Sequence, residues 1–155
     1  MKLLKRTKQP LTTTEPKLIL TQSVLAHYLS TKGIKFSYDK DGDINGIWEM
    51  NKFWFLLLGS PVQTLQILSR WHAKFDVPDD TFLLVMINEW NRDNLWPELS
   101  LSRQGTITSI MCTHNFPVHA GVTPRQLDEQ IFIAIDAATD VFNSLTKRFS
   151  NVGKK

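Results

Sequence analysis

KFWFLLLGSPVQTLQILSRWHAKF, residues 52–75, decides the fold class. In its second half Leu65, Ile67, Trp71, Ala73 and Phe75 alternate with Gln66, Arg70, His72 and Lys74. That two-residue period belongs to a long antiparallel strand with one face toward a core. In the first half both faces are apolar: Phe53, Phe55 and Leu57 point one way, Trp54, Leu56 and Leu58 the other. Gly59, Ser60 and Pro61 form the turn between them, because glycine tolerates positive φ and proline fixes its own. A strand that is apolar on both faces needs burial on both, or a protein interface on one.

Downstream, Phe82, Leu83, Met86, Ile87 and Trp90 change the period to that of an amphipathic helix, which Asp79 or Asp80 can open. Pro97 closes this region, and Glu98 to Arg103 and Thr106 to Phe116 read as two strands joined at Gln104 and Gly105. Thr123-Pro124-Arg125-Gln126 is a capping box with proline at the first helical position. Leu127, Ile131, Ala134, Ile135, Ala138, Val141, Phe142 and Leu145 carry that helix onward as the main one packed on the sheet.

Upstream, Ile34, Phe36 and Tyr38 alternate with polar residues as far as the Asp39–Asp43 turn, and Ile47 to Met50 either forms its own strand or joins 52–58 through a bend at Asn51. Thr21 caps a helix that begins near Gln22, or a turn earlier using Leu18; Val24, Leu25, Tyr28 and Leu29 make its stripe and Gly33 stops it. The order is α-β-β-β-α-β-β-α, an α+β domain with an antiparallel sheet and helices on one face. The other face is left for solvent or a second copy.

With 155 residues, 42% of them hydrophobic and 21% charged, the chain suits one domain and is too apolar for a disordered one. We expect a basic N-terminal segment over 1–15, a single domain over 16–149 and a basic tail over 150–155. No run is long and apolar enough to span a membrane, and Lys2, Lys5, Arg6 and Lys8 leave no room for the apolar part of a signal peptide, so the expected location is the cytoplasm. The net charge of +3 conceals an uneven distribution: eight basic residues lie at the ends, and 11–146 carries ten against fifteen acids, a formal −5. Basic ends on an acidic body do not make the broad basic face of a committed nucleic-acid binder. A weak polyanion-binding role for the ends is the lesser alternative.

Few residues suggest chemistry. Asp39, Asp41 and Asp43 imitate a calcium loop, but its sixth and twelfth positions would be Ile44 and Met50 rather than glycine and glutamate. They fit a hairpin turn instead. Cys112, His114 and His119 offer thiolate and imidazole without a second cysteine or a fourth ligand. Cys112 with His114 and Asn115 supplies the residue types of a nucleophile and its base without an activated-cysteine motif, and His27 and His72 are isolated. No glycine-rich phosphate loop is present, and no cofactor or metal is expected. An enzyme with a noncontiguous cleft that uses Cys112 or a histidine, a hydrolase for instance, is the alternative function. Trp48, Trp54, Trp71, Trp90 and Trp96 serve internal packing, a protein interface or, least well, a nucleic-acid platform.

Asn88-Glu89-Trp90-Asn91-Arg92-Asp93-Asn94-Leu95-Trp96-Pro97, followed by a two-strand unit and Gly121-Val122-Thr123-Pro124-Arg125-Gln126-Leu127, resembles the actinobacterial branch of the YbjN family. The helix before Gly33, then Phe36, the Asp41-Gly42-Asp43 turn and the Trp54–Gly59 strand extend the resemblance over roughly residues 18 to 149. The resemblance implies a bacterial sensory-transduction regulator without a defined chemistry, on a fold similar to type III secretion chaperones and often dimeric. What carries over is the shape, not secretion. Asn88, Asn91, Trp96 and Pro97 match the family's most recognisable patch; Asn88 or Asn91 is expected to bond the following loop, Trp96 to anchor it and Pro97 to fix its exit. The resulting expectation is a noncatalytic protein-binding or regulatory domain, a homodimer or protein partner meeting Trp54, Leu56 and Leu58.

Overall fold

A computed structural model describes residues 15–152. The helices are α1 (Gln22–Thr31), α2 (Thr81–Asp93) and α3 (Pro124–Val152), and the strands are β1 (Ser37–Tyr38), β2 (Ile44–Trp48), β3 (Asn51–Leu58), β4 (Thr64–Asp76), β5 (Glu98–Gln104) and β6 (Ile107–Pro117). They form one antiparallel sheet in the order β1-β2-β3-β4-β6-β5. The expected class and order of blocks hold. Residues 47–58 resolve into two strands joined by Glu49 and Met50, both at positive φ (47° and 67°), as a tight two-residue hairpin requires. The strand expected from Ile34 shortens to Ser37–Tyr38. The basic segment expected over 1–15 lies outside the described residues except for Glu15, as do residues 153–155 of the tail.

Each helix starts and stops where its sequence provides partners. Thr21 Oγ1 accepts the Val24 amide at 3.3 Å. At the other end of α1, Ile34 N–H reaches Leu29 O and Gly33 N–H reaches Ser30 O, both at 3.0 Å, a Schellman closure that the positive φ of Gly33 permits. Leu18, the alternative helix start, pairs instead with Val122 in a short bridge. The capping box of α3 is reciprocal: Gln126 N–H donates to Thr123 Oγ1 (3.1 Å) and Thr123 N–H to Gln126 Oε1 (3.0 Å). At α2 the first amide, Thr81 N–H, goes to Asp79 Oδ1 at 2.9 Å, and Asp80 turns to Arg103 and Thr108.

All three helices cover the same face. Phe53, Phe55, Leu65, Ile67, Trp71, Ile110 and Cys112 from the strands close on Leu25, Leu29, Leu83, Ile131, Ile135, Ala138 and Phe142 from the helices in one buried cluster. Leu127, Ile131 and Leu145 of α3 are buried along its length, as its period requires. No helix of the described residues is long and apolar enough to cross a membrane.

Candidate protein-binding face

The register makes the uncovered face legible row by row. Asn45, Trp54, Leu68 and Thr113 lie side by side on β2, β3, β4 and β6; on one side of them run Ile47, Lys52, Arg70 and Met111, and on the other Leu56, Gln66 and Asn115, then Leu58, Thr64 and Pro117. Trp54, Leu56 and Leu68 are half-buried by one another, while Leu58 is 42% and Ile47 70% exposed. Met111 is buried yet stands outside the core cluster, packed on this second face. The three residues expected at an interface, Trp54, Leu56 and Leu58, therefore do share a face that no helix of the described residues covers.

Charge and polarity frame this apolar patch. Lys52 Nζ lies 4.7 Å and Arg70 Cζ 5.4 Å from the Trp54 ring centroid, so two cations pack on one indole. Gln66 Nε2 donates to Asn115 Oδ1 at 2.9 Å, and buried Asn45 accepts from the Ser37 hydroxyl and donates to the carbonyls of Ser37 and Asp43. Gln66, Asn115 and Asn45 are thus occupied within the sheet, and around Trp54 the face presents apolar surface together with Lys52 and Arg70, which pair with no carboxylate among the described residues.

The motif at the end of α2 is an internal brace. Asn91 donates through Nδ2 to Leu99 O at 2.8 Å and accepts the Leu99 N–H through Oδ1 at 2.9 Å. Its amide thus acts as a neighbouring strand along the outer edge of β5 and blunts that edge. Trp90 Nε1 donates to Pro97 O at 3.0 Å, Pro97 is buried, and the Trp96 ring lies 5.5 Å from that of His114. Asn88 is exposed and takes no part in this brace.

The residues with chemical potential are dispersed. Cys112 is buried, and burial pushes its thiol up to about 12, so it lacks the thiolate that a nucleophile needs at neutral pH. His114 shares a hydrogen bond with Gln130 Oε1 (2.9 Å) and His72 meets Asn51 Oδ1 through ring and backbone nitrogen, while His27 and His119 are exposed on α1 and before α3. Asp39 Oδ1 accepts the amides of Asp41 (3.0 Å) and Asp43 (2.9 Å), which makes it the organiser of the hairpin turn. Among the described residues no three histidines, cysteines or carboxylates gather as metal ligands would. Trp71 donates to Thr146 and Trp48 packs edge-on against Phe53 and Phe55, so the tryptophans do not share one platform; Trp54 alone of the five stands on the uncovered face.

Sequence reasoning missed Leu68, Met111 and Ile47 as members of the patch, and the cation pair on Trp54. Leu68 and Arg70 share the parity of Gln66 and His72, which was legible; that Arg70 faces Lys52 depends on inter-strand register, which one strand's pattern does not carry.

A family described as YbjN, "Putative bacterial sensory transduction regulator", matches residues 21–147. No curated protein matches the chain in sequence. Among solved structures, "Crystal structure of YbjN, a putative transcription regulator from E. coli" is similar with a TM-score of 0.68 at 13% identity, over 86% of this chain and 96% of that one.

Proposed function

This chain belongs to the YbjN family, and from that premise we propose that it is a noncatalytic, cytoplasmic regulatory protein that acts by docking another protein, a second copy or a different chain, on the uncovered face of its sheet. One observation carries the reading: β3 is apolar on both sides, and the helices cover only the side of Phe53 and Phe55, leaving Trp54, Leu56 and Leu58 beside Ile47 and Leu68. Soluble monomers seldom keep contiguous apolar area of this kind without using it. The helical layer also exposes apolar groups, Phe82, Leu84 and Val85 on α2 and Phe132 and Ile133 on α3; Glu129 and Asp136 neighbour the last two at helical spacing.

The test is capture from native lysate by the intact chain, by Leu56→Asp/Leu58→Asp, and by Phe132→Asp as a matched change on the helical side. The reading expects a specific protein, or self-association in sedimentation equilibrium, that the first variant loses and the second keeps. Equal behaviour of all three chains, each melting as the wild type does, contradicts it.

A further inference from the structure

We infer that the occupant of the uncovered face is an acidic segment of a different protein, an inference that rests on the docking reading above and names the partner's chemistry. Lys52 and Arg70 are direct cross-strand partners, and like charges in that position repel. Among the described residues neither has a carboxylate within ion-pair distance: the three ion pairs join Lys32 to Asp128, Arg92 to Asp93 and Arg103 to Asp80. Lys74 continues the positive line along β4, where it faces Ser109. By register only Asp76 and Glu98 among the acids belong to this side: Asp76 at the far end of β4, and Glu98 in the row of Trp54 but two strands beyond Leu68, next to Thr113. The other acids lie in turns and on helices, and Glu49 bonds Asn143 of α3. A body of formal charge −5 over 11–146 thus turns a cationic, apolar face outward.

Charge complementarity selects among occupants. An isologous second copy would bring the same face, and with it a second Lys52 and Arg70, into the interface, so that four cations meet with only Glu98 of each copy to offset them near the patch. A nucleic acid would satisfy the cations, but base stacking needs the aromatic face on which both cations already pack. A carboxylate asks for no such displacement. It meets the planar fork of Arg70 at its edge while the guanidinium stays on the ring, and apolar side chains flanking it meet the exposed Ile47 and Leu58.

The experiment uses the full chain and two fluorescein-labelled probes, a random copolymer of glutamate and tyrosine and an oligothymidylate of similar charge, with binding read by fluorescence anisotropy at low and moderate salt. The expected result is binding of the copolymer, weakened by salt, tighter than that of the oligothymidylate, and reduced about tenfold or more in K52E/R70E. Both substituted side chains are on the uncovered face, so a thermal melt of the variant like that of the wild type certifies its fold. Oligothymidylate bound as tightly as the copolymer, a K52E/R70E chain that binds undiminished, or no binding of either probe overturns the inference. Lysate capture separates the two levels. If Leu56→Asp/Leu58→Asp abolishes it and K52E/R70E does not, the docking face stands and the acidic occupant falls; if neither variant changes it, both fall.

Discussion

Asp128 joins the first and last helices. Its carboxylate accepts the Tyr28 hydroxyl and meets Lys32 Nζ at 2.7 Å. The Lys32 bond first, and the Tyr28 bond second, hold its carboxyl below the ordinary range, while burial first and then Asp128 hold the Tyr28 phenol well above its usual value. A carboxyl depressed in the fold contributes stability that is fully present above its unfolded value, about 3.9, and is lost as pH falls through the folded one. Asp128→Asn keeps the shape and the acceptor for Tyr28 but loses the charge. The wild type is expected to exceed it by about 1 kcal/mol at neutral pH, since the pair is about one-third exposed, with the gap closing below about pH 4. Urea denaturation of both chains across that range checks the sign. Asn91 offers a second residue-scale case, because truncation strands the outward N–H and C=O of buried Leu99. Asn91→Ala is expected to cost about 1–3 kcal/mol and to speed hydrogen exchange at the Leu99 amide. It is expected to leave partner capture intact, since the brace lies on the side of the helices; lost capture in a folded variant would instead make the motif part of the docking surface.

At the scale of elements, α3 and β4 were legible because each carries one uninterrupted period. The capping box fixes the start of α3, and its buried positions recur from Leu127 to Leu145. Ile131 is fully buried in that line, so Ile131→Asp places an unpaired charge among apolar neighbours and is expected to unfold the domain or destabilise it by more than about 3 kcal/mol. Equilibrium denaturation decides it, and a change under about 0.5 kcal/mol would remove α3 from the core. The β2–β3 junction was less legible. A hairpin turn of this geometry usually announces itself with asparagine and glycine, whereas Glu49 and Met50 carry it here and Asn51 Nδ2 steadies it by donating to Glu49 O at 3.1 Å. Asn51 also accepts the His72 amide at 2.9 Å, serving β4 where the β3 backbone has ended. Such side-chain service is tertiary and leaves no period to read. Trp54, Leu56 and Leu58, the proposed interface residues, could be picked from the two-faced apolarity of β3, but their companions Leu68 and Met111 emerge only when register brings four strands together.

For the whole molecule, the sheet divides two unlike surfaces. On one side lie the core and a helical exterior of mixed charge, in which Glu89, Asp93, Glu129, Asp136 and Asp140 alternate with Arg92, Arg125, Lys147 and Arg148; on the other lie Trp54, its two cations and the surrounding apolar side chains. The proposed docking on the sheet rests on that asymmetry. The most direct test is site-specific photo-crosslinking in native lysate, with Leu56 replaced by p-benzoylphenylalanine in one chain and exposed Ser144 of α3 in a control. Docking on the sheet face is expected to give a discrete protein adduct from position 56, absent from position 144 and abolished by K52E/R70E. Adducts from position 144 alone, or from neither position, would contradict it.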